Sequence, residues 1–301
     1  MQLRTRFAPS PTGLLHVGNA YSALYCAEWA GTNRAELLLR IEDIDHSRCH
    51  GEFTAAILED LQWLGLSWSE PVRQQSRHLM EYRQAIRQLR DMDMIYPCFC
   101  SRKSIRLEME RMGSAPHAGD ETALYPGICR KLSLHEQEKR MRNEAFAWRL
   151  NTRKALNTLP ANLCWLDDSG HAYAADIDHD VVIGRKDIAF SYHLAVVIDD
   201  AAQGISHIIR GKDLQPSTGI HTLLQKLLAL PQPVYIHHAL LCGADGERLA
   251  KRHSATTLRS LREAGLSPYK LRDYLLDSRN VIWPFEPGDD EELLRRFGSS
   301  K

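Results

Sequence analysis

The chain is expected to form an α/β fold, a doubly wound parallel sheet of the Rossmann type. Three observations lead there. A short strand over 3–7 hands over to a helix over 19–30 through a loop rich in proline and glycine. A second strand, 36–41, holds Leu37, Leu38 and Leu39 in an unbroken apolar run and is followed at once by Glu42, Asp43 and Asp45. Two amphipathic helices come next, one marked by Phe53, Ile57, Leu61 and Leu64, the other by Leu79, Tyr82, Ile86 and Leu89. Continuous apolar strands alternating with amphipathic helices are the pattern of a parallel sheet covered on its faces. In such sheets ligands gather at the carboxyl ends of the strands, where the acidic run sits.

Composition narrows the setting. With 301 residues, 44% of them hydrophobic and 25% charged, the chain can bury a sizeable core. Lysine plus arginine and aspartate plus glutamate both total 38, so the formal net charge is zero. A nucleic-acid partner therefore has to be met by a local basic face and not by bulk charge. No apolar run approaches the ~20 residues of a membrane span, and Met1-Gln2-Leu3-Arg4 lacks the apolar core of a signal peptide. Seven cysteines, an odd number, argue against a disulfide framework. The expected setting is cytoplasmic, without a membrane partner, and the chain is expected to act as a monomer.

The alternation breaks at Tyr96. From there to Arg130 the apolar spacing is poor and Gly113, Pro116, Gly119, Pro126 and Gly127 punctuate the chain, which reads as an insertion. Strands are expected at 147–150, 172–175, 181–184, 194–199 and 207–210. Ile220, Leu223, Leu224, Leu227 and Leu228 mark a helix, and 234–241 a strand closed by the turn Ala244-Asp245-Gly246. Short helices over 257–264 and 269–277 precede a polar tail.

Three clusters carry chemistry. The loop Phe7-Ala8-Pro9-Ser10-Pro11-Thr12-Gly13-Leu14-Leu15-His16-Val17-Gly18 sets His16 and Gly18 against the unpaired N–H groups of a helix start. Those donors and the helix dipole suit a nucleotide phosphate. The second cluster, Glu247-Arg248-Leu249-Ala250-Lys251-Arg252-His253, places three cations within five positions after a strand and turn, a clamp for polyphosphate. The third is Cys98, Cys100 and Cys129 within the insertion: three soft sulfurs favour one tetrahedral zinc ion. His117 and His135 are chemically ordinary fourth donors. The phenol of Tyr125 must lose a proton of pKa ~10 to serve, unless the metal lowers it.

Together the first two clusters resemble the His-x-Gly-His and Lys-Met-Ser-Lys-Ser elements of class I aminoacyl-tRNA synthetases. Arg6 to Gly13, Leu39-Arg40-Ile41-Glu42-Asp43-Ile44-Asp45, Val196-Val197-Ile198-Asp199-Asp200 and His207-Ile208-Ile209-Arg210-Gly211-Lys212-Asp213 all look like the glutamyl-tRNA synthetase catalytic domain, a resemblance running from about residue 4 to residue 255. Two departures stand out: Asn19 replaces the last histidine, and Arg248 and Ala250 replace lysine and serine of the basic loop. Cys-x-Cys followed by Tyr-x-x-x-Cys is similar to the glutamyl-queuosine tRNA(Asp) synthetases, a family of short relatives, and implies Tyr125 as the fourth zinc ligand.

The resemblance implies ATP-dependent activation of L-glutamate, with Mg²⁺, by a class I ligase, and transfer of the glutamyl group to queuosine in the anticodon loop of tRNA(Asp). It implies contacts to glutamate from Arg6, Phe7, Ala8, Pro9, Ser10, Glu42, Tyr192 and Arg210. Guanidinium groups suit its carboxylates, Glu42 its ammonium group, and Ser10 and Tyr192 supply neutral hydrogen bonds. His16, Gly18 and Lys251 would hold ATP, and His16, Arg248 and Lys251 would offset the charge on the phosphates. The expected organisation is a catalytic domain in two halves, 1–95 and 131–240, split by a zinc-binding insertion, 96–130. A basic loop and short helical C-terminal region, 241–301, would follow, with no anticodon-binding domain, since only fifty residues come after Lys251. Two other readings stay open: charging of a tRNA 3′ end, as by a glutamyl-tRNA synthetase, and a non-catalytic RNA-binding or regulatory paralogue.

Overall fold

The computed structural model describes residues 2–101, 103–105, 125–159, 163–187, 190–243, 246, 249, 256–277, 282–285 and 289–298. The chain divides into two compact units. Met1–Arg77, Gly204–Gln215 and Pro233–Lys301 make the first, His78–Gln203 and Pro216–Gln232 the second.

The first unit opens as the sequence predicts, with β1 (Arg4–Phe7), α1 (Val17–Thr32), β2 (Glu36–Ile41) and α2 (Gly51–Trp63), and then adds β3 (Ser69–Gln74). β1 and β2 pair in parallel, Phe7 opposite Leu39, and β2 pairs in parallel with β3. The third strand, Ser-Glu-Pro-Val-Arg-Gln, carries no apolar run and escapes sequence reading; its proline is tolerated because the strand ends the row.

The second unit contains α3 (Leu79–Asp91), β4 (Ile95–Cys98), α4 (Leu134–Met141), β5 (Ala147–Leu150), α5 (Thr152–Thr158), β6 (Cys164–Leu166), β7 (Ala172–Ala174), β8 (Val182–Gly184), α6 (Tyr192–Ala202) and α7 (Thr218–Leu227). β4 pairs antiparallel with β5 and β5 with β8, so the entry to the expected insertion is a strand and not a break. β6 and β7 form a hairpin on which Trp165 stacks against Tyr173. The strand expected over 194–199 is instead the middle of α6. Ser191 caps that helix, accepting from the Leu194 N–H, and Leu194, Ala195, Val196, Val197, Asp199 and Asp200 are all buried. Burial around most of its circumference removes the 3.6-residue period, and the β-branched run then mimics a strand.

The chain returns to the first unit with β9 (His207–Gly211) and β10 (Val234–His238), parallel to each other. β9 is tied to β1 through the Ser206 N–H and hydroxyl, which both donate to the Arg4 carbonyl. The strand expected to reach Leu241 stops at His238, and Cys242–Gly243 forms a separate β11. α8 (Leu258–Glu263), α9 (Pro268–Leu276), β12 (Ile282–Trp283) and α10 (Asp290–Phe297) complete the unit. The expected polar tail is a correction: Trp283, Phe285, Leu293 and Phe297 are buried in the same core as Leu15, Val17, Leu39 and Leu258. Among the described residues, the strand pairs of the first unit are parallel and those of the second antiparallel, so the parallel sheet is confined to the first unit. Among the described residues, no helix is long and apolar enough to cross a membrane.

Candidate active site and thiol cluster

The loop after β1 is held from two sides. The Glu42 N–H donates to the Pro9 carbonyl (3.0 Å) and the His50 N–H to the Pro11 carbonyl (3.1 Å), so Ala8 to Pro11 lie along the chain that leaves β2. At its far end His16 caps α1: Nδ1 accepts from the Gly18 N–H at 3.1 Å, while Asn19 Oδ1 accepts from the His16 N–H at 3.1 Å. Asn19, the departure from the histidine of the family motif, thus completes a reciprocal cap. Because Nδ1 accepts, the neutral ring carries its proton on Nε2 and can present a donor there. A Cβ on Gly18 would stand 2.9 Å from His16 Cε1, so residue 18 must be glycine for the ring to fold back in this way.

The same loop is joined to the far end of the sequence. Leu258 N–H donates to the Leu15 carbonyl (2.8 Å), Val17 N–H to the Thr256 carbonyl (3.4 Å), and His16 forms a bridge with Thr257. Arg248 and Lys251 lie outside the described residues, a few positions upstream of that anchored segment in sequence.

Arg6 and Arg210, the two arginines expected on glutamate, are buried on β1 and β9. Arg6 Nη1 donates to the Ile209 carbonyl at 3.3 Å, which ties β1 to β9 one residue before Arg210. Arg210 Nε donates to His237 Nε2 at 3.3 Å. Glu42 is paired with Arg40, whose Nη2 lies 3.2 Å from Glu42 Oε1 and whose side chain is fully buried. The other acids after β2 are engaged too. Asp43 accepts from the Ser76 N–H and hydroxyl, and Asp45 from Ser47 and Arg48. The Ser47 hydroxyl, then Arg48, holds the Asp45 carboxyl below the usual carboxylate range. Ser10 is exposed in the loop, its carbonyl accepting from the Thr12 N–H, and Phe7 closes β1. Tyr192 opens α6 in the second unit, its ring 5.6 Å from that of His221. Sequence reading missed Arg40, His237 and the capping role of Asn19. A lone arginine inside the run Leu-Leu-Leu-Arg-Ile was a usable signal for the first, since a charge is buried there only with a partner.

In the second unit the Sγ atoms of Cys98, Cys100 and Cys129 lie within 4.8 Å of one another, the only such metal-ligand group among the described residues. Cys100 and Cys129 Sγ are 3.5 Å apart, far from the ~2.05 Å of a disulfide. Tetrahedral zinc with bonds of ~2.3 Å sets its sulfurs about 3.8 Å apart, so the donors fit that ion. Tyr125 brings its phenol oxygen to 3.5 Å from Cys98 Sγ and 3.8 Å from Cys100 Sγ, and accepts the Cys129 N–H at 2.8 Å. Hydrogen bonds from Cys100 and Cys129, then from Tyr125, and the Arg149 charge hold the Cys98 thiol far below the ordinary range. The Arg149 guanidinium, over the Tyr125 ring at 3.8 Å, donates to Cys98 Sγ at 3.3 Å. His117 lies outside the described residues.

The Val17, Gly18, Asn19 and Ala20 N–H groups are taken up by Thr256 and His16 and are not left open, a correction to the expected phosphate seat. A parallel sheet with a histidine-capped helix start and buried arginines on β1 and β9 is the architecture of a class I aminoacyl-tRNA synthetase catalytic domain. Over residues 2–300 the chain matches the family model described as tRNA synthetases class I (E and Q), catalytic domain, and it belongs to that family of ligases. Within the family it is similar to the Glutamyl-Q tRNA(Asp) synthetase of Rhodobacter capsulatus, with 41% identity over 279 residues covering 89% of this chain and 98% of that one. It is 37% identical to the glutamate–tRNA ligase of Aquifex aeolicus, covering 98% of this chain and 62% of that one. A glutamate tRNA ligase from Elizabethkingia meningosepticum, solved in complex with its amino acid, shares the fold, with a TM-score of 0.74 at 24% identity over 99% of this chain and 65% of that one.

Proposed function

We propose that this chain activates L-glutamate with ATP as glutamyl-AMP and transfers the glutamyl group to queuosine in the anticodon loop of tRNA(Asp), acting as a cytoplasmic monomer. The observation that carries this reading is the likeness to the Rhodobacter capsulatus relative across nearly all of that protein's length. The buried Arg6 and Arg210 suit the two carboxylates of glutamate, and Glu42, oriented by Arg40, its ammonium group. Ser10 adds a neutral hydrogen bond. In the first step a glutamate carboxylate oxygen attacks the α-phosphorus of ATP and pyrophosphate leaves. His16, through Nε2–H, together with Arg248 and Lys251 offsets the charge shifting onto the phosphates. In the second step a hydroxyl of the queuosine cyclopentenediol attacks the carbonyl of the adenylate, AMP departs, and its phosphate takes the hydroxyl proton. Class I synthetases use ATP with Mg²⁺. Zinc held by Cys98, Cys100, Cys129 and Tyr125 within 96–130 would serve structure and take no part in either step.

The test is where labelled glutamate ends after incubation with ATP and bulk tRNA: nuclease mapping is expected to place it in the anticodon loop, and label on a 3′ adenosine overturns the reading. Glutamate-dependent exchange between ATP and pyrophosphate reports the first step alone. Lys251→Ala is expected to slow that exchange by one to three orders of magnitude, roughly the scale of one lost transition-state charge contact. Exchange at the wild-type rate removes Lys251 from the mechanism. Gly18→Ala is expected to displace the His16 ring and slow exchange by roughly 10- to 100-fold, the scale of about 1 Å of misplacement. Its thermal midpoint should fail to show the gain alanine ordinarily brings to a helix. Wild-type exchange in this variant would mean that the capped pose of His16 is not the active one.

A further inference from the structure

Arg210 does not stand alone on its strand. The parallel register of β9 and β10 sets His237 beside it, and two residues earlier on the same face of β10 stands Tyr235. Arg210 Nε donates to His237 Nε2 at 3.3 Å, and the guanidinium carbon lies 5.2 Å from the centroid of the fully buried Tyr235 ring. The Tyr235 and His237 rings are nearly parallel, 5° apart. A guanidinium has donors only, so Nε2 must be the lone-pair nitrogen and the imidazole neutral, with its proton on Nδ1. Burial, then the Arg210 and His238 charges, pushes the His237 imidazole down to about 4, so that form prevails at neutral pH. With Nε engaged, the guanidinium plane is fixed, and bidentate capture of an anion is confined to the Nη1/Nη2 fork.

We propose that His237 is a positioning residue for amino-acid recognition: its neutral imidazole accepts from Arg210 Nε and sets the fork of Arg210 for a substrate carboxylate. The inference rests on the reading that Arg210 binds glutamate. His237 touches neither substrate nor phosphate in this role. Its effect is expected on glutamate affinity, with turnover and ATP affinity largely spared.

Glutamate-dependent ATP–pyrophosphate exchange by the full chain tests it. His237→Phe keeps a flat ring and removes the acceptor. It is expected to raise the KM for glutamate roughly 10- to 100-fold, the scale of one hydrogen bond to a charged group, with the KM for ATP and the rate at saturating glutamate moving less than about threefold. His237→Gln, whose Oε1 falls near the place of Nε2, should recover most of that affinity. His237→Asn, whose Oδ1 falls near Nδ1, should not. A wild-type glutamate KM in the Phe variant, or equal losses in the Phe and Gln variants, overturns the proposal, whatever happens to the thermal midpoint. Arg210→Gln separates the two layers. If it leaves the glutamate KM unchanged, the assignment of Arg210 to glutamate fails. If it raises that KM while His237→Phe does not, only the positioning role fails.

Discussion

An anticodon stem-loop of tRNA(Asp) carrying queuosine is expected to accept labelled glutamate, and the same stem-loop carrying guanosine is expected to stay unlabelled. The difference should be all or none, because guanosine lacks the cyclopentene hydroxyls that attack the adenylate. Periodate cleaves the vicinal diol of queuosine and should abolish transfer, and rebuilding the terminal adenosine of an oxidised whole tRNA should not restore it. With 38 basic and 38 acidic residues the chain has no surplus charge for an extended phosphate footprint. Its affinity for the stem-loop should therefore fall only shallowly with salt, with a log–log slope reflecting a handful of phosphate contacts. Glutamate appearing on the 3′ adenosine of tRNA(Glu), with the queuosine stem-loop ignored, replaces this acceptor with that of a conventional glutamyl-tRNA synthetase.

The second large effect concerns the thiols. Protein purified without chelator is expected to carry close to one zinc per chain, and the double variant Cys98→Ser with Cys100→Ser to carry none. Zinc bound by a folded site contributes its binding free energy to folding. Losing it should raise amide hydrogen exchange around Tyr96, Phe99 and Cys129, which pack together with Tyr125, while the core built from Leu15, Leu39 and Trp283 keeps its protection. Metal analysis finding no zinc in the wild-type chain removes the whole cluster from this role. Zinc retained unchanged in Tyr125→Phe gives the fourth position to a histidine or water.

The sequence was legible where an apolar period or an unbroken apolar run stood out from its surroundings. The apolar spacing of α2 and α3 and the triple leucine of β2 could be read directly, because the core-facing residues recur at the right period. Legibility failed in two opposite situations. α6 is buried on too many sides for a period to show, and β3 is too polar to look like a strand although its partner, β2, carries the apolar side. Val281-Ile282-Trp283-Pro284-Phe285 is a short apolar run broken by proline, and Leu293 and Phe297 follow among charged residues, so the segment that closes the core of the first unit passed for a polar tail. The site divides in the same way. Residues whose chemistry is unusual for their setting, such as His16 before a helix and three cysteines in one segment, announce themselves. Arg40 pairs with Glu42 two positions on, a signal the run Leu-Leu-Leu-Arg-Ile carried but that was not read, whereas His237 meets Arg210 only through the register of β9 and β10, which a single line of sequence does not display.

The bonds between Leu15–Val17 and Thr256–Leu258 have a consequence for how the protein is made. The loop that carries His16 leaves the ribosome well before the segment that closes on it, Leu15–Val17 preceding Thr256–Leu258 by most of the catalytic domain. Synthesis at roughly 5–20 residues per second separates them by ten seconds or more. Until Thr257 emerges, His16 lacks its bridge to that residue, and this part of the proposed nucleotide site is incomplete however well β1, α1 and β2 have formed. A nascent chain stalled before that point should hold a partly folded first unit and show weak affinity for ATP, so that competence to activate an amino acid arrives only once Thr257 has been made.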